Sequence, residues 1–273
     1  SQSVDYDGEK LTINPLQPLG TEPVTLEIQY ELKNPRRGIY FIQPDHHYPD
    51  KPVQVWTQGE DEDSRYWFPC FDYPGQLATS EIRVQVANPY RAISNGSLIE
   101  QKDLGVEQIF HWSQAQIHPT YLMTLAIGDF AEIVDHYGDL PVRYYVEKGR
   151  DADGHRSMGK TPRMIEFFNK TFGYPYAYPN YDQVCVADFI FGGMENTSTT
   201  LLMDRCLLDE RAALDNRNTE SLVAHELAHQ WFGDLVVIKH WSHAWIKEGM
   251  ASYSEVLWTD HEYGQEEAAY YLL

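Results

Sequence analysis

The first half of the chain alternates hydrophobic and polar residues with the two-residue period of β-strands. Residues 24–32 (VTLEIQYEL) carry a hydrophobic side chain at every second position, and residues 81–86 (EIRVQV) repeat this alternation. The pair Asn95-Gly96 is a typical turn signal. Because strands of this kind bury one face, the pattern predicts an antiparallel all-β domain in the first half of the chain.

The second half of the chain changes to helical spacing. Hydrophobic residues recur at intervals of three and four positions in three segments, at 161–173, 220–232 and 243–258. The first segment opens with Thr161, a capping residue type, and Pro162, and it closes with Gly173. We expect each of the three segments to form a helix.

This change of pattern divides the chain into two predicted domains. The apolar strand 121–130 ends the β region, so the predicted boundary lies near residue 130. An N-terminal antiparallel β domain would cover residues 1–130, and a domain with the three helices would cover residues 131–273. The predicted fold class is therefore α+β.

The charge of the chain narrows the range of expected partners. Its 273 residues include 21 Lys and Arg against 41 Asp and Glu, which gives a formal net charge of -20. A surface this acidic repels phosphate backbones, so we do not expect nucleic acid as a partner. No apolar run is long enough to span a bilayer. We expect a soluble protein, with a cytoplasmic location favoured over a periplasmic or secreted one.

The second predicted helix, at 220–232, contains the pattern H-E-x-x-H. A separation of four residues puts the imidazoles of His225 and His229 one turn apart on the same face, where they can share one metal ion. Glu226 follows the first His directly, so its carboxylate can reach a water at the metal without being a ligand. The pattern therefore predicts a metal site with an adjacent general base.

A third ligand candidate follows in the next predicted helix. Eighteen residues separate His229 from Glu248, and the two helices can dock side by side. Two His and one Glu leave one position of a four-coordinate zinc open, as catalytic sites require, whereas a structural site would have a fourth protein ligand. The alternative is that His225 and His229 are core residues and Glu248 is a surface acid. We expect one Zn²⁺ per chain.

Three other residues near the motif have less defined predictions. His240 and His243 have no spacing that joins them to the metal motif, and we expect both to be surface or packing residues. Glu255 lies seven residues after Glu248, on the same helical face. It could orient a ligand His, or it could be an exposed acid.

The segment FGGMENTS at residues 191–198 lies upstream of the metal motif. A G-x-M-E-N sequence followed by H-E-x-x-H, with a Glu after 18 further residues, resembles the aminopeptidase N family. Segments 57–72, 92–98 and 225–236 are similar to the same family, so the resemblance covers nearly the whole chain. It implies a saddle-like antiparallel β domain followed by a thermolysin-like zincin domain, in agreement with a boundary near residue 130.

The resemblance also implies an activity. The family consists of zinc-dependent aminopeptidases, which hydrolyse the N-terminal residue from peptides that have a free N-terminus. A water activated by zinc would attack the first peptide carbonyl, with Glu226 as the general base.

The resemblance further implies which residues bind the substrate. Glu195 of the G-x-M-E-N motif would hold the α-ammonium group, and a T-Q-x-E segment would contribute Gln58 and a second acid, Glu60. Relatives that also hydrolyse a leukotriene epoxide carry Gln at that acidic position, so Glu60 favours a plain aminopeptidase. The other expected substrate-binding residues belong to the same motif and are Gly192, Gly193, Met194 and Asn196.

The chain departs from the family pattern in several places. Lys247 stands where relatives commonly have Asn, and Val237-Ile238 replaces a Thr-containing segment. Neither departure is expected to touch a metal ligand, but Lys247 puts a cation next to the site. The sequence stops at Leu273, before the Tyr that donates to the oxyanion in the family, and it starts late in the β domain. We therefore expect a fragment, truncated at both ends, that hydrolyses weakly.

Two alternatives stay open. A catalytically weak or inactive scaffold of the same fold is one, because some relatives have lost the zinc ligands and serve as interaction platforms. An endopeptidase of the thermolysin type is the other, and it would cleave peptides with a blocked N-terminus. Glu195 and Glu60 instead predict a strict need for a free amine.

Overall fold

The computed structural model describes residues 3–273, and the chain divides into two compact units, Ser1–Lys33 and Asn34–Leu273. Residues 1 and 2, the start of the predicted β domain, lie outside the described residues. The smaller unit contains an antiparallel hairpin of β1 (Ser3–Tyr6) and β2 (Leu11–Asn14).

One strand prediction is wrong. Residues 24–32 form no strand, and every side chain in this segment is exposed. Alternation assigns side chains to two faces, but a strand also needs ladder hydrogen bonds from a neighbour, and the pattern does not determine that neighbour.

The β region of the larger unit contains two antiparallel sheets. Its strands are β3 (Ile39–Ile42), β4 (Gln54–Thr57), β5 (Leu77–Ala87), β6 (Arg91–Ser94), β7 (Ser97–Asp103), β8 (Glu107–Pro119) and β9 (Leu125–Gly128). The four-stranded sheet has the order β3-β4-β9-β6, and the three-stranded sheet has the order β5-β8-β7. The predicted strand at 81–86 is confirmed within β5, where Ile82, Val84 and Val86 are half-buried.

The predicted turn at Asn95-Gly96 is also confirmed. It connects β6 to β7, and Gly96 has a φ of +77°. A Cβ atom at Gly96 would lie 2.1 Å from the carbonyl oxygen of Ser113, so glycine is required both by the backbone angle and by the space.

The second part of the larger unit is built on a mixed sheet of five strands. These are β10 (Phe130–Tyr137), β11 (Leu140–Glu147), β12 (Tyr181–Val186), β13 (Gly193–Met194) and β14 (Thr199–Met203). Their order is β10-β11-β12-β14-β13. The three central strands run parallel, and an antiparallel strand lies at each edge. The short edge strand β13 belongs to the G-x-M-E-N segment.

Among the described residues, five α-helices lie in the same part of the chain as this sheet. They are α1 (Asp151–Met158), α2 (Thr161–Phe172), α3 (Asn218–His229), α4 (Ala244–Tyr263) and α5 (Gln265–Tyr271). The three predicted helices are confirmed as α2, α3 and α4, and α2 ends before Gly173, whose φ is +68°. Helix α1 was not predicted, because its buried positions are Gly154, Ser157 and Met158, which form no hydrophobic stripe.

Both faces of the five-stranded sheet are buried. Successive residues of one strand enter different clusters, so that Tyr144 packs with the helices and Tyr145 packs with the β region. The same division separates Cys185 from Val184. Mixed α and β architecture in one chain confirms the predicted α+β class. Within residues 3–273, no helix combines the length and the apolar character needed to cross a membrane.

Candidate metal centre

Helix α3 presents both histidines of the H-E-x-x-H pattern on one face, as predicted. The Nε2 atoms of His225 and His229 lie 3.0 Å apart. Glu248 projects from α4, and its Oε2 atom lies 3.4 Å from each of these nitrogens. The structure thus brings the three predicted ligands together, with one donor atom from each within 4.8 Å of the others.

The other ring nitrogen of each histidine has a hydrogen-bond acceptor. Nδ1–H of His225 donates to Oε1 of Glu255 at 2.7 Å, and Nδ1–H of His229 donates to the carbonyl oxygen of Phe232 at 2.9 Å. A neutral imidazole that donates from Nδ1 keeps a lone pair on Nε2. Two such lone pairs face each other beside a carboxylate oxygen, so the donor set fits a divalent cation such as Zn²⁺.

The electrostatics of the three groups lead to the same conclusion. Burial works against a charged imidazole, but hydrogen bonds with Glu248 and Glu255 outweigh burial and raise the pKa of His225 to about 10. Burial likewise opposes ionisation of Glu248, yet His225 and His229 hold its pKa well below its ordinary value. The site therefore stabilises positive charge at its centre, where a proton and a metal ion compete for the same atoms.

Glu226 lines the same cavity as the three candidate ligands. The residue is 5% exposed, and burial raises the pKa of its side chain to about 8. Its Oε2 atom has no hydrogen-bond partner among the described residues. A Cβ atom at Gly193 would lie 2.4 Å from its Oε1 atom, so the glycine backbone packs directly on the carboxylate. An acid with a high proton affinity next to a metal site is suited to proton transfer.

A second group of acids lies next to the ligands. Oε1 atoms of Glu60, Glu195 and Glu248 lie 2.9, 2.6 and 2.5 Å from Nζ of Lys247. Burial and the charge of Glu195 raise the pKa of Glu60 to about 7, against the effect of Lys247. The expectation that Lys247 would not touch a metal ligand is wrong, because helix α4 turns its side chain inward beside that of Glu248.

One cavity of about 460 Å³ connects these groups. Most of the predicted site residues line it, namely Glu60, Gly192, Gly193, Met194, Glu195, His225, Glu226, His229 and Glu248. Gln58 and Asn196 do not line this cavity, and both side chains are fully buried. Nε2 of Gln58 instead donates to the sulfur of Met194 at 3.1 Å, so this residue supports the edge strand from behind.

Several residues of the site were not identified from the sequence. Besides Glu255, whose contact with His225 the sequence analysis had considered, the cavity is also lined by Phe191, Asn218, Ser221, Leu222 and Tyr271. Leu222 and Asn218 precede His225 by three and seven residues on α3, so the helical period could have identified them. His240 and His243 are exposed and line no part of the cavity, as predicted.

Gln230 connects the end of α3 to the G-x-M-E-N segment. Its Nε2 atom donates to the carbonyl oxygen of Glu195 at 3.0 Å, and its Oε1 atom accepts from the backbone N–H of Ser198 at 2.8 Å. A buried amide that bonds to backbone on both sides fixes the loop relative to the helix. The sequence does not distinguish Gln230 from its neighbours, because its role depends on contacts that form only in the folded chain.

Comparisons with known proteins agree with this arrangement. Residues 156–272 match the Peptidase family M1 domain, and residues 1–122 match the Peptidase M1 N-terminal domain. The predicted boundary at residue 130 falls between these two ranges and stays a prediction.

Curated relatives match over most of the chain. Aminopeptidase M1 of Arabidopsis thaliana is 34% identical over 254 residues, which cover 92% of this chain and 29% of that protein. Probable aminopeptidase 2 of Sulfurisphaera tokodaii is 34% identical over 84% of this chain and 29% of its own length. Leucyl aminopeptidase of Saccharolobus solfataricus is 33% identical over 84% of this chain and 29% of its own length. The chain thus spans about 29% of the length of these relatives. Because both domain types match in chain order and three aminopeptidases are similar over most of its length, this chain belongs to peptidase family M1.

Proposed function

We propose that this chain carries the catalytic centre of a zinc-dependent aminopeptidase, which removes the N-terminal residue from peptides with a free amino group. The observation that carries the proposal is the cavity that the three candidate ligands share with Glu226 and with the acid pair Glu60 and Glu195. The matched relatives are named as aminopeptidases, which supports the same activity.

The metal position is assigned to His225, His229 and Glu248. A zinc ion bound there would supply a Lewis acid that polarises the scissile carbonyl and makes water acidic enough to react near neutral pH. Glu255 and the carbonyl of Phe232 would hold the two imidazoles in the orientation that directs both Nε2 atoms at the ion.

The general base is assigned to Glu226. Its carboxylate accepts a proton from the attacking water and returns it to the nitrogen of the peptide bond as that bond breaks. Burial favours the protonated form in between, because a neutral carboxylic acid loses less solvation on burial than a carboxylate does. One water and one peptide bond give a free amino acid and a shortened peptide, with no bond to the protein at any stage.

The substrate's α-ammonium group is assigned to Glu60 and Glu195. Both carboxylates face the cavity, and Oε1 of Glu195 lies 4.0 Å from Nδ1 of the candidate ligand His229. An ammonium held this close to the metal ligands leaves room for a single residue before the cleaved bond. An endopeptidase would have no use for such an anchor.

Metal analysis tests the first part of the proposal. We expect about one zinc per chain in the wild-type protein, and a loss of zinc in His229→Ala and in Glu248→Ala, because each variant removes one of three ligands. His243→Ala is the matched control, since this exposed histidine lies outside the cavity. A folded wild-type chain without zinc would contradict the ligand assignment and favour a scaffold.

Hydrolysis tests the second part. The zinc-loaded chain should hydrolyse alanine anilide and leave N-acetylalanine anilide intact. Comparable hydrolysis of internal bonds in acetylated peptides would point to an endopeptidase. Zinc binding without any hydrolysis would leave the catalytically inactive scaffold as the better description of this chain.

A further inference from the structure

Lys247 is buried in the middle of the acids described above. The residue is 1% exposed, and its Nζ atom lies within 2.9 Å of three carboxylates, those of Glu60, Glu195 and Glu248. The ammonium group donates hydrogen bonds to Glu195 and Glu248 and forms an ion pair with Glu60. The ring of Tyr121 lies 5.8 Å from the same nitrogen and packs against it.

The position of Lys247 relative to the cavity matters for its role. All three acids line the cavity, whereas Lys247 is not among the described residues that line it. The lysine therefore contacts the carboxylates from the protein interior, and the acids lie between it and the space open to a substrate. Its ammonium cannot contact a peptide without a rearrangement of the acids.

We propose that Lys247 is a positioning residue for the substrate's amine. Its ammonium group contacts three carboxylates and so holds the acids that bind the amine at a fixed position relative to the metal centre. Two of its partners, Glu60 and Glu195, are the acids assigned to the α-ammonium group, and the third, Glu248, is a candidate metal ligand. The inference rests on the proposed function and deepens it, because the lysine sets the distance between the amine anchor and the site of cleavage.

The physical reason is the repulsion among the acids. Three carboxylates around one point repel each other in a buried site, and they separate unless a cation holds them. A resident lysine supplies that cation before the substrate arrives, so the two anchors are arranged in advance and binding does not have to order them. The backbone of Glu195 is held separately, because its carbonyl oxygen accepts a hydrogen bond from Gln230.

Two variants separate this role from simple charge. Lys247→Met keeps much of the side-chain length but removes the charge and all three donors. Lys247→Arg keeps the charge, but a planar guanidinium cannot direct donors to three oxygens that converge on one point. Lys239→Met is the control, because Lys239 is exposed and lies eight residues earlier in the chain.

The measurement is the preference for a free amine in zinc-loaded protein. Calorimetry would give the dissociation constants of leucinamide and of N-acetylleucinamide, and steady-state hydrolysis of leucine anilide would give KM and kcat separately. We expect both Lys247 variants to lower the preference for leucinamide about tenfold or more and to raise KM similarly, with kcat changed less than about threefold. Zinc content should stay near one per chain, and Lys239→Met should match wild type.

The outcomes distinguish this inference from the proposed function. If the wild-type protein shows no preference for leucinamide, both are contradicted. If the wild type shows the preference and a folded Lys247→Met or Lys247→Arg protein keeps it, only the role of Lys247 is overturned. Tighter binding of leucinamide by Lys247→Met would also overturn it, because the lysine would then be a competitor of the substrate's amine. Should Lys247→Met not fold, Lys247→Arg alone decides.

Discussion

The two glycines that precede Met194 differ in what surrounds them. A Cβ atom at Gly192 would lie 3.3 Å from Cδ1 of Leu222, a flexible side chain that can move by a few tenths of an ångström. A Cβ atom at Gly193 would lie 2.4 Å from Oε1 and 2.6 Å from Cδ of Glu226. Only the second glycine therefore controls the position of the proposed base.

We predict that Gly193→Ala displaces the Glu226 carboxylate and lowers kcat about 100-fold, because a shift of about 1 Å in a reacting group has an effect of this size. Zinc content should not change, since the three atoms nearest the new methyl group all belong to Glu226. The measurement is kcat for an amino acid anilide alongside metal analysis. Gly20→Ala is the control, because a Cβ atom there would have no neighbour within 4 Å. A Gly193→Ala protein with wild-type kcat would exclude this close contact.

At the level of elements, strand β8 of the β region contacts the loop that carries Glu195. His118 lies at the end of β8, where Nε2 is 2.9 Å from Oγ of Ser80 on β5 and Nδ1 is 3.3 Å from Oγ1 of Thr197. The residue is 3% exposed, and no acid offsets its burial, which lowers its pKa to about 4. The histidine is thus neutral in the folded protein at neutral pH.

This burial predicts a specific loss of stability in acid. The unfolded chain binds a proton on His118 below about pH 6.5 and the folded chain only below about pH 4, so stability is fully present above pH 6.5 and falls between these values. The shift corresponds to about 3 kcal/mol in the free energy of unfolding. In His118→Gln, the difference in this free energy between pH 7 and pH 4 should shrink by about that amount.

Urea denaturation at both pH values is the measurement. His136→Gln is the matched control, because His136 is an exposed histidine on β10. If the two variants show the same pH dependence, burial of His118 is not the source of the acid sensitivity.

At the level of the whole molecule, the candidate metal centre connects helices that are separate in the sequence. His225 and His229 lie on α3, and Glu248 lies on α4, which packs beside it. An ion bound to both helices stabilises the folded chain by its binding free energy, because the unfolded chain has no preformed site.

We predict that a chelator lowers the melting temperature of the zinc-loaded wild-type protein by roughly 10 °C, which corresponds to about 3 to 4 kcal/mol for a chain of this size. The same chelator should not change the melting temperature of Glu248→Ala. Calorimetric scans of both proteins provide the measurement. An equal response in the two proteins would mean that the stabilising ion binds elsewhere.

Local patterns were sufficient for helices α2, α3 and α4 and for the candidate ligands. The four-residue spacing of His225 and His229 places them on one face in any α-helix, and Gly173 ends α2 through its left-handed backbone angle. The strand within β5 was predictable for the same reason, because its alternation coincides with one buried face. These features depend on residues a few positions apart, and so they can be recognised without knowing the fold.

Other features depend on contacts between residues far apart in the sequence. The segment 24–32 has the alternation of a strand but no ladder, and α1 is a helix whose inward face has no hydrophobic stripe. Gln58 lies two residues before Glu60, yet its side chain is turned away from the cavity. Lys247 shows this most clearly. Because it precedes Glu248 directly, the sequence indicates only a cation near a candidate metal ligand. Only the packing of α4 against the Glu60 and Glu195 segments surrounds it with three carboxylates, because burial and long-range ion pairs are properties of the folded chain.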